Sequence, residues 1–116
     1  MVHSICVCGA GTMGSGIAQA AAQSGIYTLL FDLNKEVLQK AEASINANLD
    51  SLVSKQKITE EQRANINGNL QYINDINYCI ADVIIEAIIE KPEAKISLFN
   101  QLAEINHSDT IFASNT

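Results

Sequence analysis

Residues Ser4 to Gly16 read SICVCGAGTMGSG, a five-residue apolar run followed by glycines at the first, third and sixth positions of the segment Gly9–Gly14. A short apolar run bounded by glycine predicts a β-strand over Ser4–Cys8. Beyond the glycines, Thr12 to Ser24 is built of small helix-forming residues such as Ala18, Ala20, Ala21 and Ala22. Gly25 then stands where a C-terminal cap belongs. Tyr27 to Phe31 is a second apolar, β-prone run ending at Asp32. Strand, helix and strand within about 30 residues predict the βαβ unit of a parallel sheet. Both strands are almost continuously apolar, which suits a sheet covered on both faces.

The pattern continues outward. Asn34 can cap a long helix over Lys35–Lys55, with Leu38, Ala41, Ile45, Leu49 and Leu52 at helical spacing. Thr59-Glu60-Glu61-Gln62 has the form of a capping box, so a second helix is expected there, after a polar turn over Ser54–Ile58. Together the two helices form a hairpin inserted over residues 35–66. Leu70–Ile73 reads as a third strand and Asp82–Ala87 as a fourth. Pro92 suits the first turn of a helix that Ile96, Phe99, Leu102 and Ala103 carry to about Asn106. Thr110–Ala113 reads as a fifth strand. The expectation is one α/β domain over residues 1–116, Rossmann-like, with a mostly parallel sheet and helices on both faces.

The net charge of −6 argues against a nucleic-acid partner, which calls for clustered Lys and Arg. No apolar run reaches the roughly 18 residues of a membrane-spanning helix. Val2, His3 and Ser4 supply no basic leader, so a cytoplasmic location without a membrane partner is expected. Cys6 and Cys8 alternate along the first strand and share a face. With no second pair or nearby His to complete a metal site, they read as small buried residues, and no metal is expected. His3 and His107 read as surface residues.

The glycines carry a specific chemistry. Gly9 follows the strand where the chain must turn tightly, Gly11 lets a pyrophosphate approach the backbone, and Gly14 lets the helix pack against the strands. Gly9, Ala10, Gly11, Thr12, Met13 and Gly14 are therefore candidate cofactor-binding residues, with free N–H groups of the helix N-terminus facing the phosphates. Asp32 follows Gly9 by roughly the 20 positions of the dinucleotide fingerprint. Its carboxylate would accept hydrogen bonds from the adenosine ribose hydroxyls and repel a 2′-phosphate. No Arg follows it (Leu33, Asn34, Lys35), which favours NAD over NADP.

Four separated segments are more specific still: GAGTMGSGIAQAAAQSG, the FD that closes the second strand, IIEAIIEKPEAK, and the terminal IFASNT. Together they resemble the L-3-hydroxyacyl-CoA dehydrogenase family, over essentially the whole chain and at the position of its amino-terminal NAD-binding domain. The resemblance implies an enzyme of fatty acid metabolism that oxidises (S)-3-hydroxyacyl-CoA to 3-oxoacyl-CoA, passing hydride to NAD. It implies cofactor contacts at Ala87 and Glu90 within the Glu86–Glu90 segment, with Glu90 near the nicotinamide-side ribose, and at Asn115. Lys95 would stand near both cofactor and CoA, and Lys55 would meet the CoA phosphates. Asn48 occupies a position where the family has a CoA-contacting Ser, a departure at that one contact. The family's catalytic His–Glu pair, the Ser directly after the SNT triplet and a later Asn all fall past Thr116, so no catalytic residue is assigned within these residues. The helical C-terminal domain that makes the family's homodimer falls there too, and the 116 residues alone are expected to be inactive. Two other readings remain: a free-standing, non-catalytic dinucleotide-binding module, and a related hydroxy-acid dehydrogenase with a non-CoA substrate.

Overall fold

The computed structural model describes residues 2–88 and 92–114. The chain runs β1 (Ser4–Cys8), α1 (Thr12–Gln23), β2 (Tyr27–Phe31), α2 (Lys35–Ser54), α3 (Glu60–Gly68), β3 (Leu70–Ile73), a short 3-10 helix (Ile76–Tyr78), β4 (Val83–Glu86), α4 (Pro92–Ile105) and β5 (Ile111–Ser114). The five strands form one sheet in the order β3-β2-β1-β4-β5. Every neighbouring pair is parallel. Each expected strand and helix is present, with ends displaced by about one residue, the ordinary uncertainty of fraying termini. The 3-10 helix was not expected; Asp75 nucleates it by accepting from the Asn77 N–H at 3.0 Å.

The register positions the site. Cys8 lies opposite Phe31 and Glu86, Phe31 opposite Ile73, and Glu86 opposite Ser114. One row of residues therefore crosses the carboxyl ends of all five strands, and Gly9, Asp32 and Ala87 follow directly from it. Strand order reverses at β1, flanked by β2 and β4, which is where open parallel sheets hold their ligands.

Strand alternation divides the core between the two faces. Val7 and Leu30 point to one side, where Ala18, Ala22, Ile45, Leu49 and Ile66 of α1, α2 and α3 cover them. Cys6, Cys8, Leu29, Phe31 and Ile84 point to the other, against Leu102 of α4. The α1 alanines leave room for the helix to lie close to the strands. Its end is a Schellman turn: Gly25, at φ +86°, donates to Ala22 O, and Ile26 donates to Ala21 O. The capping box at Thr59 and Gln62 forms as expected, and an Arg63–Asp50 ion pair ties α3 to α2.

The helix expected from Pro92 is present, and its apolar residues divide between two surroundings. Leu98, Leu102 and Ile105 pack inward, whereas Ile96 is 61% exposed and Ala103 is also exposed. Phe99 instead stacks edge-to-face with Phe112 of β5, with ring centroids 5.8 Å apart. Spacing alone marks a helical stripe but does not say which flank of it meets a sheet. Among the described residues no helix is long and apolar enough to cross a membrane.

Candidate functional site

Gly9 leaves β1 at φ +109°, a conformation that side chains oppose. Its N–H donates to Phe31 O at 2.8 Å, while the Ala87 N–H donates to Cys8 O at 2.8 Å, so the turn is wedged between β2 and β4. A Cβ at Gly9 would stand 2.9 Å from the Ala87 carbonyl carbon, and one at Gly14 only 1.7 Å from Gly9 O. Both glycines are thus required by the protein's own backbone. Gly11 is different, because a Cβ there would meet nothing within 4 Å. Nothing inside the domain asks for glycine at this position; the open space lies where a ligand would approach.

Asp32 closes the turn from the other side. Its Oδ2 accepts from the Ala10 N–H at 3.0 Å and its Oδ1 from the Asn34 N–H at 2.9 Å. The carboxylate therefore fixes the glycine turn to the β2 exit, a role that spacing did not reveal. Each oxygen still has a lone pair for a further donor, such as a ribose hydroxyl. At α1 the N-cap is Gly11, which has no side chain to cap the helix, and the first turn contains no acidic residue. Ser15 turns its hydroxyl back onto Gly11 O at 2.8 Å. No carboxylate of the first turn thus competes for the positive end of α1, which suits an incoming phosphate.

A cleft of about 550 Å³ lies over the turn, bordered by Gly9, Gly11, Thr12, Met13, Asp32, Val37, Ala87 and Ile88. A second of about 330 Å³ shares Gly9, Asp32 and Ile88 and reaches Ile76, Ser97 and Leu98. The two make a trough across the carboxyl edge of the sheet with Asp32 at their junction. These features fit a dinucleotide whose pyrophosphate lies over Gly11.

A buried charge cluster lies one strand over. Glu86, fully buried in β4, accepts from the Ile88 N–H at 2.8 Å and from the Ser114 hydroxyl at 3.0 Å. Lys95 Nζ is 3.5 Å from its Oε1. A buried carboxylate persists only when paired and hydrogen-bonded, and here it has both. Sequence reasoning named Lys95 and the Ser114-Asn115-Thr116 triplet but not the anchor between them. The available signal was an acid at the end of the otherwise apolar VIIE strand. Glu90 and Asn115, expected near the cofactor, lie outside the described residues.

The candidate CoA residues are less tightly gathered. Asn48 borders a cleft of about 340 Å³ between α1 and α2, together with Gly11, Thr12, Lys40 and Ser44. Its Nδ2 donates to Gln19 Oε1 at 3.0 Å. Lys55 is the C-cap of α2. It lies on the same helix face, about 10 Å further along the axis at 1.5 Å per residue. His3 and His107 are exposed, as expected. The cysteines are buried, as expected of Cys6 and Cys8, and the structure adds a neighbour that alternation along the strand did not reveal. Cys79 arrives from the loop before β4, and the three Sγ atoms lie within 4.8 Å of one another.

Comparison with known proteins places this geometry. Residues 4–116 match the family model described as "3-hydroxyacyl-CoA dehydrogenase, NAD binding domain". The 3-hydroxyadipyl-CoA dehydrogenase of Escherichia coli K12 is 40% identical over 116 residues, covering 99% of this chain and 24% of that protein. A probable 3-hydroxybutyryl-CoA dehydrogenase of Deinococcus radiodurans is 38% identical over 111 residues, covering 95% of this chain and 40% of that protein. The crystal structure of an Escherichia coli K12 3-hydroxybutyryl-CoA dehydrogenase superposes with a TM-score of 0.95 at 40% identity, over 100% of this chain and 25% of that one. The (S)-3-hydroxybutyryl-CoA dehydrogenase of Ralstonia eutropha gives 0.93 at 32% identity, over 100% of this chain and 41% of that one. The chain thus spans well under half the length of these relatives.

Proposed function

We propose that this chain, which belongs to the 3-hydroxyacyl-CoA dehydrogenase family and matches its NAD-binding domain, serves the oxidation of an (S)-3-hydroxyacyl-CoA to the 3-oxoacyl-CoA in fatty acid metabolism. NAD, when bound, supplies the hydride acceptor. The open approach at Gly11, beside an α1 N-terminus without a first-turn acid, carries the cofactor half of the reading. Gly9 to Gly14 receive the pyrophosphate, and Asp32 takes the adenosine ribose hydroxyls. On the nicotinamide side, Ala87 borders the trough, and the family resemblance assigns the remaining contacts to Glu90, Lys95 and Asn115.

Lys95 has a second role in this reading. Held by Glu86 and only partly exposed, it presents a positive charge between cofactor and CoA. Asn48 and Lys55 on α2 meet the CoA phosphates. The carbonyl and proton chemistry belongs to residues outside this domain, and assembly is as a homodimer.

The test is an assay of the protein carrying this domain, following NADH absorbance with acetoacetyl-CoA and, separately, with free acetoacetate. Consumption of the CoA ester, with the free acid at least about 100-fold poorer in kcat/KM, is expected; that ratio is about 2.7 kcal/mol of transition-state binding. Equal use of both would favour a non-CoA substrate. NADH binding without turnover of either would favour a non-catalytic module.

A further inference from the structure

Cys6 and Cys8 stand two residues apart on β1, on the sheet face opposite Val7. Cys79 reaches the same face from the loop that follows the 3-10 helix. All three are free thiols with no solvent exposure, walled by Leu29, Phe31, Ile84 and Leu102. Their Sγ atoms are mutually within 4.8 Å. The family chemistry gives this group no task.

We propose that the trio is a redox modification site, in which Cys79 forms a disulfide with Cys6 or Cys8 when the protein meets a peroxide. Charge decides against a metal. Three thiolates around a divalent ion leave a net negative charge in an apolar pocket, and structural zinc takes four ligands. Among the described residues the cluster offers three. A disulfide is neutral and suits the same walls.

Geometry selects the partner. Cys6 and Cys8 are roughly 6.6 Å apart along one strand, at the long limit for a disulfide, and β1 is held by β2 and β4 on its two sides. Cys79 sits between Tyr78, 67% exposed, and Ile80, 49% exposed. That loop can move inward or open to a small oxidant without breaking a strand pair. Hydrogen bonding from Cys6, and then from Cys8, lowers the Cys79 thiol. Cys6 is raised by hydrogen bonding and burial. The place of Cys79 on this loop, with Tyr78 and Ile80 at the surface on either side, makes it the sulfur that a small oxidant meets first when the loop opens.

The step balances. The Cys79 thiol releases its proton, the thiolate attacks one peroxide oxygen, the O–O bond breaks, and the departing hydroxide takes up that proton, leaving Cys79 sulfenic acid and one water. The thiol of Cys6 or Cys8 then attacks the sulfenyl sulfur, forming the S–S bond and expelling a second water. Two thiols are oxidised by two electrons, the peroxide is reduced, and the third thiol stays free.

The test treats the folded chain with hydrogen peroxide, traps remaining thiols with N-ethylmaleimide under denaturing conditions, and maps the peptides by mass spectrometry. One intrachain bridge from Cys79 to the peptide carrying Cys6 and Cys8, with one trapped thiol left, is expected. Dithiothreitol should return all three thiols, and Cys79→Ser or Cys79→Ala should retain both remaining thiols under the same treatment. Three trapped thiols after peroxide, a Cys6–Cys8 bridge, a Cys79 sulfinic acid without a bridge, or one zinc per chain in the purified reduced protein would each overturn it.

Discussion

At the glycine turn, backbone meets backbone at contact distance; along α2, the residues assigned to CoA stand at the surface with space around them. Gly9 and Gly14 leave no room for a single carbon, and Asp32 locks Ala10 and Asn34 from one carboxylate. Asn48 is held by one exposed side-chain hydrogen bond, and Lys55 ends its helix in solvent. The first region is a preformed cradle whose shape is part of the fold. The second is a charged, adjustable surface. Substitutions at the turn should therefore act on folding or on cofactor affinity, and substitutions at Asn48 and Lys55 on neither.

The comparison breaks most visibly at Gly14. Gly14→Ala puts a methyl into Gly9 O, and an overpacking cost on the order of 3 kcal/mol is expected. That corresponds to a fall of roughly 15 °C in the thermal midpoint by differential scanning calorimetry. A midpoint within about 3 °C of the parent would show that the turn is looser than its contacts imply. Gly11→Ala should do the reverse, with stability within about 1 kcal/mol of the parent and NADH affinity down about tenfold, or 1.4 kcal/mol. Unchanged NADH affinity would remove Gly11 from the pyrophosphate site.

Lys55→Ala should weaken CoA binding about threefold, the scale of one exposed charge contact, with NADH affinity and thermal midpoint unchanged. Loss of NADH affinity instead would mean that the two regions are not separate.

The smallest effect is expected at Asp82, where the His3 N–H, foremost, and the Ser4 N–H hold the exposed carboxyl below its usual range. A depressed folded pKa supplies stability above the unfolded value of about 4, and that stability is lost as pH falls through the folded value. The midpoint of Asp82→Asn should therefore change less than the parent's as pH drops below about 4. Parallel pH profiles would contradict this.

The fold was largely legible because each signal for it was local. The glycine spacing, Asn34, the Thr59–Gln62 box and the short apolar runs each act within a few residues, and they name the elements the structure contains. Asp32 was legible as the acid that follows the second strand, because its place at a strand end is a sequence property. Its grip on Ala10 was not, since that depends on β1 and β2 lying in register. The same holds for Glu86, whose partners Ser114 and Lys95 are brought in by sheet register and by the start of α4. Cys79 shows the limit most plainly: alternation put Cys6 and Cys8 on one face, but nothing local says where a loop far along the chain will rest. Ile96 fits the helical period yet faces water, because periodicity does not know where a sheet ends.

The central claim is that Asp32 and the glycine turn together hold NAD. It is tested most directly by calorimetric titration of NADH and NADPH into the parent chain and into Asp32→Asn. NADH should bind the parent at least about tenfold more tightly than NADPH, a gap of 1.4 kcal/mol. Asp32→Asn should close most of that gap by losing NADH affinity while gaining tolerance for the 2′-phosphate. Tighter binding of NADPH to the parent, or an unchanged preference in the variant, would contradict the account.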